Sequence, residues 1–203
     1  MTEPVTVAPE NNAKPTAERI LDIAERLVQT RGFTNFSYAD IAAELGITKA
    51  SLHYHFPGKA ELGQAVIARY GERFADALVE IDRTVPDARA KLEAYAGLYA
   101  DVLRGNRMCM CGVLAGEYET LPDPMRAAVI RFFDDNQTWL VHVLDDGLQD
   151  RTLAFSGSKE DVAQTILVTL EGAMLVARPY GDLGRFTAAS QQLIIGLTGS
   201  RAV

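Results

Sequence analysis

The stretch Ile41-Ala-Ala-Glu-Leu-Gly46-Ile-Thr-Lys-Ala-Ser-Leu52 decides how the chain is read. Ile41, Ala42 and Leu45 recur at helical spacing on one side of a short helix, and Gly46 interrupts it. Just upstream, Ser37 is a natural N-cap, with Asp40 three residues on at capping-box spacing. Thr48 restarts a helix that runs to about His55, and Ile47 and Leu52 plug a core shared by the two. The small Ala42 lets the helices approach closely. Two short helices joined by a glycine-containing turn form a helix-turn-helix, although any helical hairpin with a glycine turn has the same look.

The pattern stays helical outward from this point. Ile20, Ile23, Ala24, Leu27 and Val28 form one stripe, with Thr16 available as cap and Gly32 at the left-handed position past the end. After Pro57-Gly58, a helix is expected from Lys59 towards Ile81, and another from Val85 to about Leu103. A tight apolar segment, Asn106 to Tyr118, follows, and Thr120-Leu-Pro-Asp-Pro124 breaks the chain. Further helices are expected over Met125–Leu148, Lys159–Ala177 (capped by Ser158) and Phe186–Leu197, with a turn from Pro179 to Gly184. No segment alternates like a strand. The expected fold is all-α with about nine helices. The expected division is a disordered, proline-bearing arm at 1–15, a helix-turn-helix domain at 16–62, and a ligand and dimerisation domain at 63–203.

Composition narrows the classes of function. The 203 residues are 48% hydrophobic and 23% charged, which excludes wholesale disorder. The apolar stretches fall short of the roughly 18 residues needed to span a bilayer. The polar, proline-bearing first residues do not resemble a signal peptide, so a cytoplasmic protein is expected. The 2 Cys are then expected as reduced thiols. His53, His55 and His142 are the only histidines, and two of them fall in the helix-turn-helix segment. With no Ser-His-Asp framework, phosphate-cradling glycine loop or H-E-x-x-H, no enzyme is expected. No metal or other cofactor is expected either, since C-x-C without clustered His is a poor metal set. The net charge of −7 is unevenly spread. Through residue 70 there are 7 Lys/Arg against 8 Asp/Glu (net −1), and beyond it 13 against 19 (net −6). The acidity therefore belongs mainly to the second part and does not argue against nucleic acid as partner of the first.

The third helix carries Thr48, Lys49, Ala50, Ser51, His53 and Tyr54, a set of hydroxyls, one cation and ring donors suited to phosphates and base edges. At these residues the chain resembles the tetracycline-repressor (TetR) family of bacterial transcription regulators. The resemblance runs over Ile20 to Val66. It is carried by Arg31-Gly32-Phe33, Phe36-Ser37-Tyr38-Ala39-Asp40-Ile41-Ala42, Gly46-Ile47-Thr48-Lys49-Ala50-Ser51-Leu52 and His55-Phe56-Pro57-Gly58-Lys59-Ala60-Glu61-Leu62. The family usually has Tyr directly after the residue matching Leu52, whereas here His53 precedes Tyr54.

The resemblance implies a homodimeric repressor on near-palindromic operator DNA, released by a small-molecule effector. Ser37, Tyr38 and Lys59 would contact phosphates, and Thr48, Lys49, Ala50, Ser51, His53 and Tyr54 would form the recognition face. Each could instead be a plain surface residue. Tyr95, Tyr99, Cys109, Met110, Leu114, Glu117, Tyr118, Phe132, Phe133, Trp139 and His142 could line an effector pocket, or simply be core. His142, if buried, would want a partner, which Glu117 could supply; Glu117 could instead bond a ligand. Ile166, Leu170, Ala173, Met174, Leu193, Ile194 and Leu197 are candidates for the dimer face, the alternative being packing within the monomer. Cys109 has two readings. Buried free cysteine is an ordinary small hydrophobe. Some family members have a cysteine at this position, eight before a Glu matching Glu117, and use it as an electrophile or redox sensor. A helix N-terminus and the nearby Arg104 and Arg107 would then favour the thiolate. A helical protein-interaction module that does not bind DNA is the remote alternative.

Overall fold

Capping chemistry sets the first helices, and a computed structural model, which describes residues 14–198, follows it closely. The chain forms α1 (Thr16–Arg31), α2 (Tyr38–Leu45), α3 (Lys49–His55), α4 (Lys59–Thr84), α5 (Ala88–Arg104), α6 (Met110–Gly116), α7 (Asp123–Gln149), α8 (Lys159–Ala177) and α9 (Leu183–Leu197). Short 3₁₀ turns lie at Tyr118–Thr120 and Arg178–Tyr180. There are no strands among the described residues. Most of the expected arm, residues 1–13, lies outside the described residues.

Ser37 opens α2 with its backbone N–H and its hydroxyl both donating to Asp40 Oδ2 at 2.7 Å. Gly46 closes α2 in the left-handed conformation (φ 68°, ψ 32°), and Thr48 Oγ1 then accepts the Ser51 N–H at 3.1 Å to start α3. Other ends differ from the sequence reading. Pro15, not Thr16, sits at the start of α1, and its carbonyl accepts the Arg19 N–H at 3.2 Å. Gly32 has φ 90° with an extended ψ of 163°, a glycine-only region rather than the expected left-handed one. Pro124 lies inside the first turn of α7, where the missing N–H is no loss. The last helix begins at Leu183 rather than Phe186, because Asp182 accepts the Gly184 N–H at 2.9 Å and caps it.

Helices α1–α3 form a head that rests on α4, and α4 continues unbroken into a body made with α5 and α7–α9. The boundary expected at 62/63 thus falls within α4. One buried cluster runs from Ile20, Ile41 and Leu52 in the head to Leu92, Leu140 and Met174 in the body. No helix among the described residues is long and apolar enough to cross a membrane.

The α8–α9 hairpin corrects the expected dimer face. Ile166, Leu170, Met174, Ile194 and Leu197 are buried within the chain, and Ala173 and Leu193 are half-buried against the same core. The hairpin packs on α5 and α7, which consumes the stripe that periodicity picked out. The outward stripe holds Val168 (62% exposed), Leu175 (67%), Val176 (59%) and, on α9, Ile195 (51%). Gly172, also exposed, lies between Val168 and Leu175 on this side of α8.

Head and α4 are joined by charge as well as apolar packing. Glu25 of α1 is buried and accepts from Arg69 Nη2 at 3.2 Å and Arg73 Nη2 at 2.5 Å. Arg69 Nη1 reaches Asp22 at 2.8 Å and Glu18 at 3.2 Å. Glu25→Ala should lower unfolding free energy by about 3 kcal/mol, the low end for removing one partner of a buried pair, because Arg69 keeps its other carboxylates. Urea denaturation measures it, and a change under about 1 kcal/mol would mean the cluster is no more than a surface pair.

Candidate nucleic-acid interface

Leu52 is fully buried and pins α3 to the head, which leaves the opposite side of this seven-residue helix in solvent. Thr48, Lys49, Ala50 and His53 are exposed, Tyr54 is 85% exposed, and Ser51 is half-buried. Lys49 and His53 line a 450 Å³ cleft together with Phe36, Ser37, Tyr38, Ala39 and Lys59. Residues separated in sequence thus meet at one concave surface fed by α2, α3 and the start of α4.

Three of these groups are already engaged. The Tyr38 side chain is buried, and its hydroxyl donates to the Phe56 carbonyl at 2.9 Å. Burial, with Glu61 adding to it, pushes this phenol up to about 12. As a phosphate contact Tyr38 is therefore corrected. Its ring is a platform under His53 (centroids 4.8 Å apart), and donating its hydroxyl outward would orphan a carbonyl. His53 Nδ1 lies 3.0 Å from the Pro57 carbonyl. A carbonyl only accepts, so Nδ1 carries the proton and Nε2 is the free position. Lys59 Nζ donates to the Phe36 carbonyl at 2.5 Å and lies 4.8 and 4.4 Å from the Phe33 and Phe36 ring centroids. Burial lowers its pKa, with Glu117 and Asp40 acting the other way. Lys59 thus ties down the loop before α2 while still lining the cleft. Asp40, held below the usual carboxylate range by its bonds to Ser37, adds an anion at the same helix start.

The head meets the body along the last turn of α1 and the loop beyond it. The Gln29 carbonyl accepts the Met108 N–H at 3.3 Å, and its Oε1 accepts from Arg107 Nη1 at 3.4 Å. The Thr30 carbonyl accepts from Arg178 Nη2 at 2.9 Å. Glu117 accepts from the Thr34 N–H at 3.1 Å and its hydroxyl at 3.2 Å. Gly32 is required by its φ of 90°, and a Cβ there would also meet Glu117 Oε1 at 2.0 Å and push aside the carboxylate that bonds Thr34.

The candidate pocket residues separate into distinct groups. Tyr95 and Tyr99 are buried with their hydroxyls 3.0 Å apart, and Tyr95 also donates to Asn136 Oδ1 at 3.0 Å. Trp139 stacks on Tyr95 (5.4 Å) and donates to Asp82 at 2.8 Å. Phe74 packs edge-on against Tyr95, Tyr99 and Phe132, and Phe133 against Phe132. Phe74, Phe132 and Asn136 line a 220 Å³ cleft between α4 and α7. Phe74 and Asn136 were missed as pocket candidates, although the spacing of Asn136 from Phe132 on one face of α7 was a usable signal. Met110 and Leu114 are plain core. Tyr118 lies apart, 5.7 Å from the Arg126 guanidinium. His142 is exposed and needs no partner, and Glu117 bonds the head rather than His142. Both corrections arise because α7 presents His142 away from its core side.

Cys109 and Cys111 are buried. Burial pushes both thiols well up, and Glu171 pushes them further. Tyr70 Oη lies 3.8 Å from Cys109 Sγ, and the half-buried Glu171 of α8 has its Oε1 shut off from solvent without a hydrogen-bond partner. The expected thiolate-stabilising field is absent at this site. Arg107 reaches to Gln29 instead, Arg104 pairs with Asp101, and α6 is only seven residues long. Burial raises the Glu171 carboxyl to about 7. The folded state therefore holds its proton above the unfolded range, and stability present below about pH 4.5 is lost as pH rises through 7. Glu171→Gln should gain on the parent from pH 5 to pH 8, by on the order of 3 kcal/mol. Urea midpoints across that range measure it, and parallel profiles would show the carboxyl is solvated.

Comparisons agree with this architecture. The family of bacterial regulatory proteins of the tetR type matches residues 20–66. The HTH-type transcriptional repressor NemR of Escherichia coli (strain K12) is 26% identical over 172 residues, 80% of this chain and 84% of that protein. A TetR-family transcriptional regulator from Agrobacterium tumefaciens has a solved structure with TM-score 0.87 at 31% identity, covering 90% of this chain and 97% of its own. A TetR transcriptional regulator from Legionella pneumophila superposes with TM-score 0.84 at 31% identity, over 92% and 99% of the two chains.

Proposed function

This chain belongs to the TetR family of bacterial transcriptional regulators, and from that premise we propose that it is a homodimeric, operator-binding repressor released by a small-molecule effector. The observation that carries the reading is the exposed face of α3 (Thr48, Lys49, Ala50, His53 and Tyr54), beside a cleft that Lys49 and Lys59 share. Lys49 has no carboxylate partner among the described residues, so its ammonium is available to a phosphate or a guanine edge. Ser37 and Ser51 support the surface through the caps they complete.

A gel-shift series against the promoter region next to its own gene tests this. A salt-sensitive complex is expected, and Lys49→Ala should weaken it by about 10–100-fold. A base contact would make the loss depend on one base pair, whereas a phosphate contact would weaken all sequences and lower the salt slope by about one. No salt-sensitive complex there or elsewhere in the genome would favour a protein-interaction module instead.

The dimer follows from α8 being apolar on two sides. Ile166, Leu170 and Met174 face its own core, and Val168, Leu175 and Val176 face out with Ile195 of α9. An exposed apolar stripe of this kind marks an interaction surface, so a second copy is the natural cover. Paired α3 helices about 34 Å apart would then read a near-palindromic operator. Val168→Glu with Leu175→Glu should convert the protein to a folded monomer by light scattering. An unchanged dimer would move the interface elsewhere.

The effector is read as a small molecule entering the cleft beside Phe74, Phe132 and Asn136, next to the Tyr95–Tyr99 pair. It would act through α4 and the contacts on Gln29, Thr30 and Thr34. By linkage, operator DNA weakens effector binding by the same factor, typically about 1–3 kcal/mol. Covalent sensing at Cys109 has less support, because its thiol is buried and held unionised.

A further inference from the structure

Against the acidic background of the body, cations gather at one place. A 290 Å³ cleft opens between the α5–α6 turn and the α8–α9 connection, with Arg104, Arg107 and Arg178 on its walls and one carboxylate, Asp182. Arg104 pairs with Asp101 of its own helix. Asp182 is engaged in capping α9 and lies 3.6 Å from Arg185. Arg107 and Arg178 have no carboxylate partner among the described residues, and each spends one donor on α1.

Tight backbone turns carry the two walls of this cleft. Asn106 is left-handed (φ 54°), and its N–H and that of Arg107 bond the Leu103 and Val102 carbonyls at 2.8 and 3.1 Å. Arg107 folds over Gly105, where a Cβ would lie 3.0 Å from Nε. The opposite wall is closed by Gly181 (φ 58°), whose N–H bonds the Arg178 carbonyl at 3.0 Å. Converging like charges in a concave site raise the local potential and favour a counter-anion. A guanidinium has five donors in a fork that matches oxyanions, so each arginine can hold α1 and an anion at once.

We propose that this cleft binds a small oxyanion of the phosphate type through Arg107 and Arg178, with Arg104 at its mouth, and that occupancy stiffens the seam between body and head. The site is separate from the α3 surface and from the aromatic cleft, and it does not depend on the DNA-binding reading.

Titration of the full chain with inorganic phosphate, at ionic strength held constant with chloride, tests it. Saturable binding is expected by calorimetry, with melting raised by about 3–5 °C at ten times Kd. Arg107→Gln should melt close to the parent in chloride and lose about tenfold or more in phosphate affinity. Arg104→Gln, at an exposed residue, provides a second variant with a smaller loss. Glycerol phosphate run beside inorganic phosphate separates a free ion from the phosphoryl group of a metabolite, and saturable binding of either supports the site. No saturable binding, or phosphate affinity unchanged in both variants, overturns the proposal. So does a lower salt slope of DNA binding in Arg107→Gln without phosphate binding in the parent, which would assign the arginine to a DNA phosphate instead.

Discussion

Glu25, buried in α1 and bonded by Arg69 and Arg73 of α4, fixes the head on the helix that leads into the body. Everything the α3 surface can do depends on where α1 sits, because α1 and α2 carry α3. The other end of α1 is held differently. There, single hydrogen bonds from Met108, Arg107 and Arg178 meet Gln29 and Thr30, and Glu117 reaches Thr34. Around Glu25 the charges form a network with a buried carboxylate at its centre, and the last turn has several separable contacts. That asymmetry suits a head that pivots about α4 when the body changes, since interfaces of separable contacts are the ones that rearrange.

Desolvation governs the chemistry of the body. Cys109, Cys111 and Tyr70 are buried and Glu171 beside them is half-buried; desolvation disfavours each charged form, so the thiols and the phenol go up and the carboxyl rises to about 7. A helix start and upstream arginines argue for a reactive thiolate only if the sulfur is wet and the arginines turn towards it. Here neither holds, so a local electrostatic expectation gives way to burial. Outside that core, at the junction with the head, Arg107 and Arg178 line one cleft and have no carboxylate partner among the described residues.

The caps show how much was legible in one dimension. Ser37 with Asp40, Gly46, Thr48 and Ser158 act over one turn, so their side chains and backbone partners are named by the sequence itself. The surface of α3 was legible for the same reason, since a short helix with Leu52 inside must expose Thr48, Lys49 and Tyr54. Tyr38 was misread because its partner, the Phe56 carbonyl, is 18 residues away. His142, Glu117 and the arginine cleft were out of reach on the same ground: each depends on contacts between elements distant in the chain.

Spacing and capping are local, so an all-α chain, its helix-turn-helix, most of its helix ends and the residues on the exposed side of α3 could be read from the sequence alone. Tertiary structure alone decided which apolar stripe of α8 and α9 turns inward. It also decided which tyrosines and thiols go dry and which arginines converge. Periodicity marks a face as apolar, but only packing against another element says what covers it, and the pKa and availability of each polar group follow from that cover.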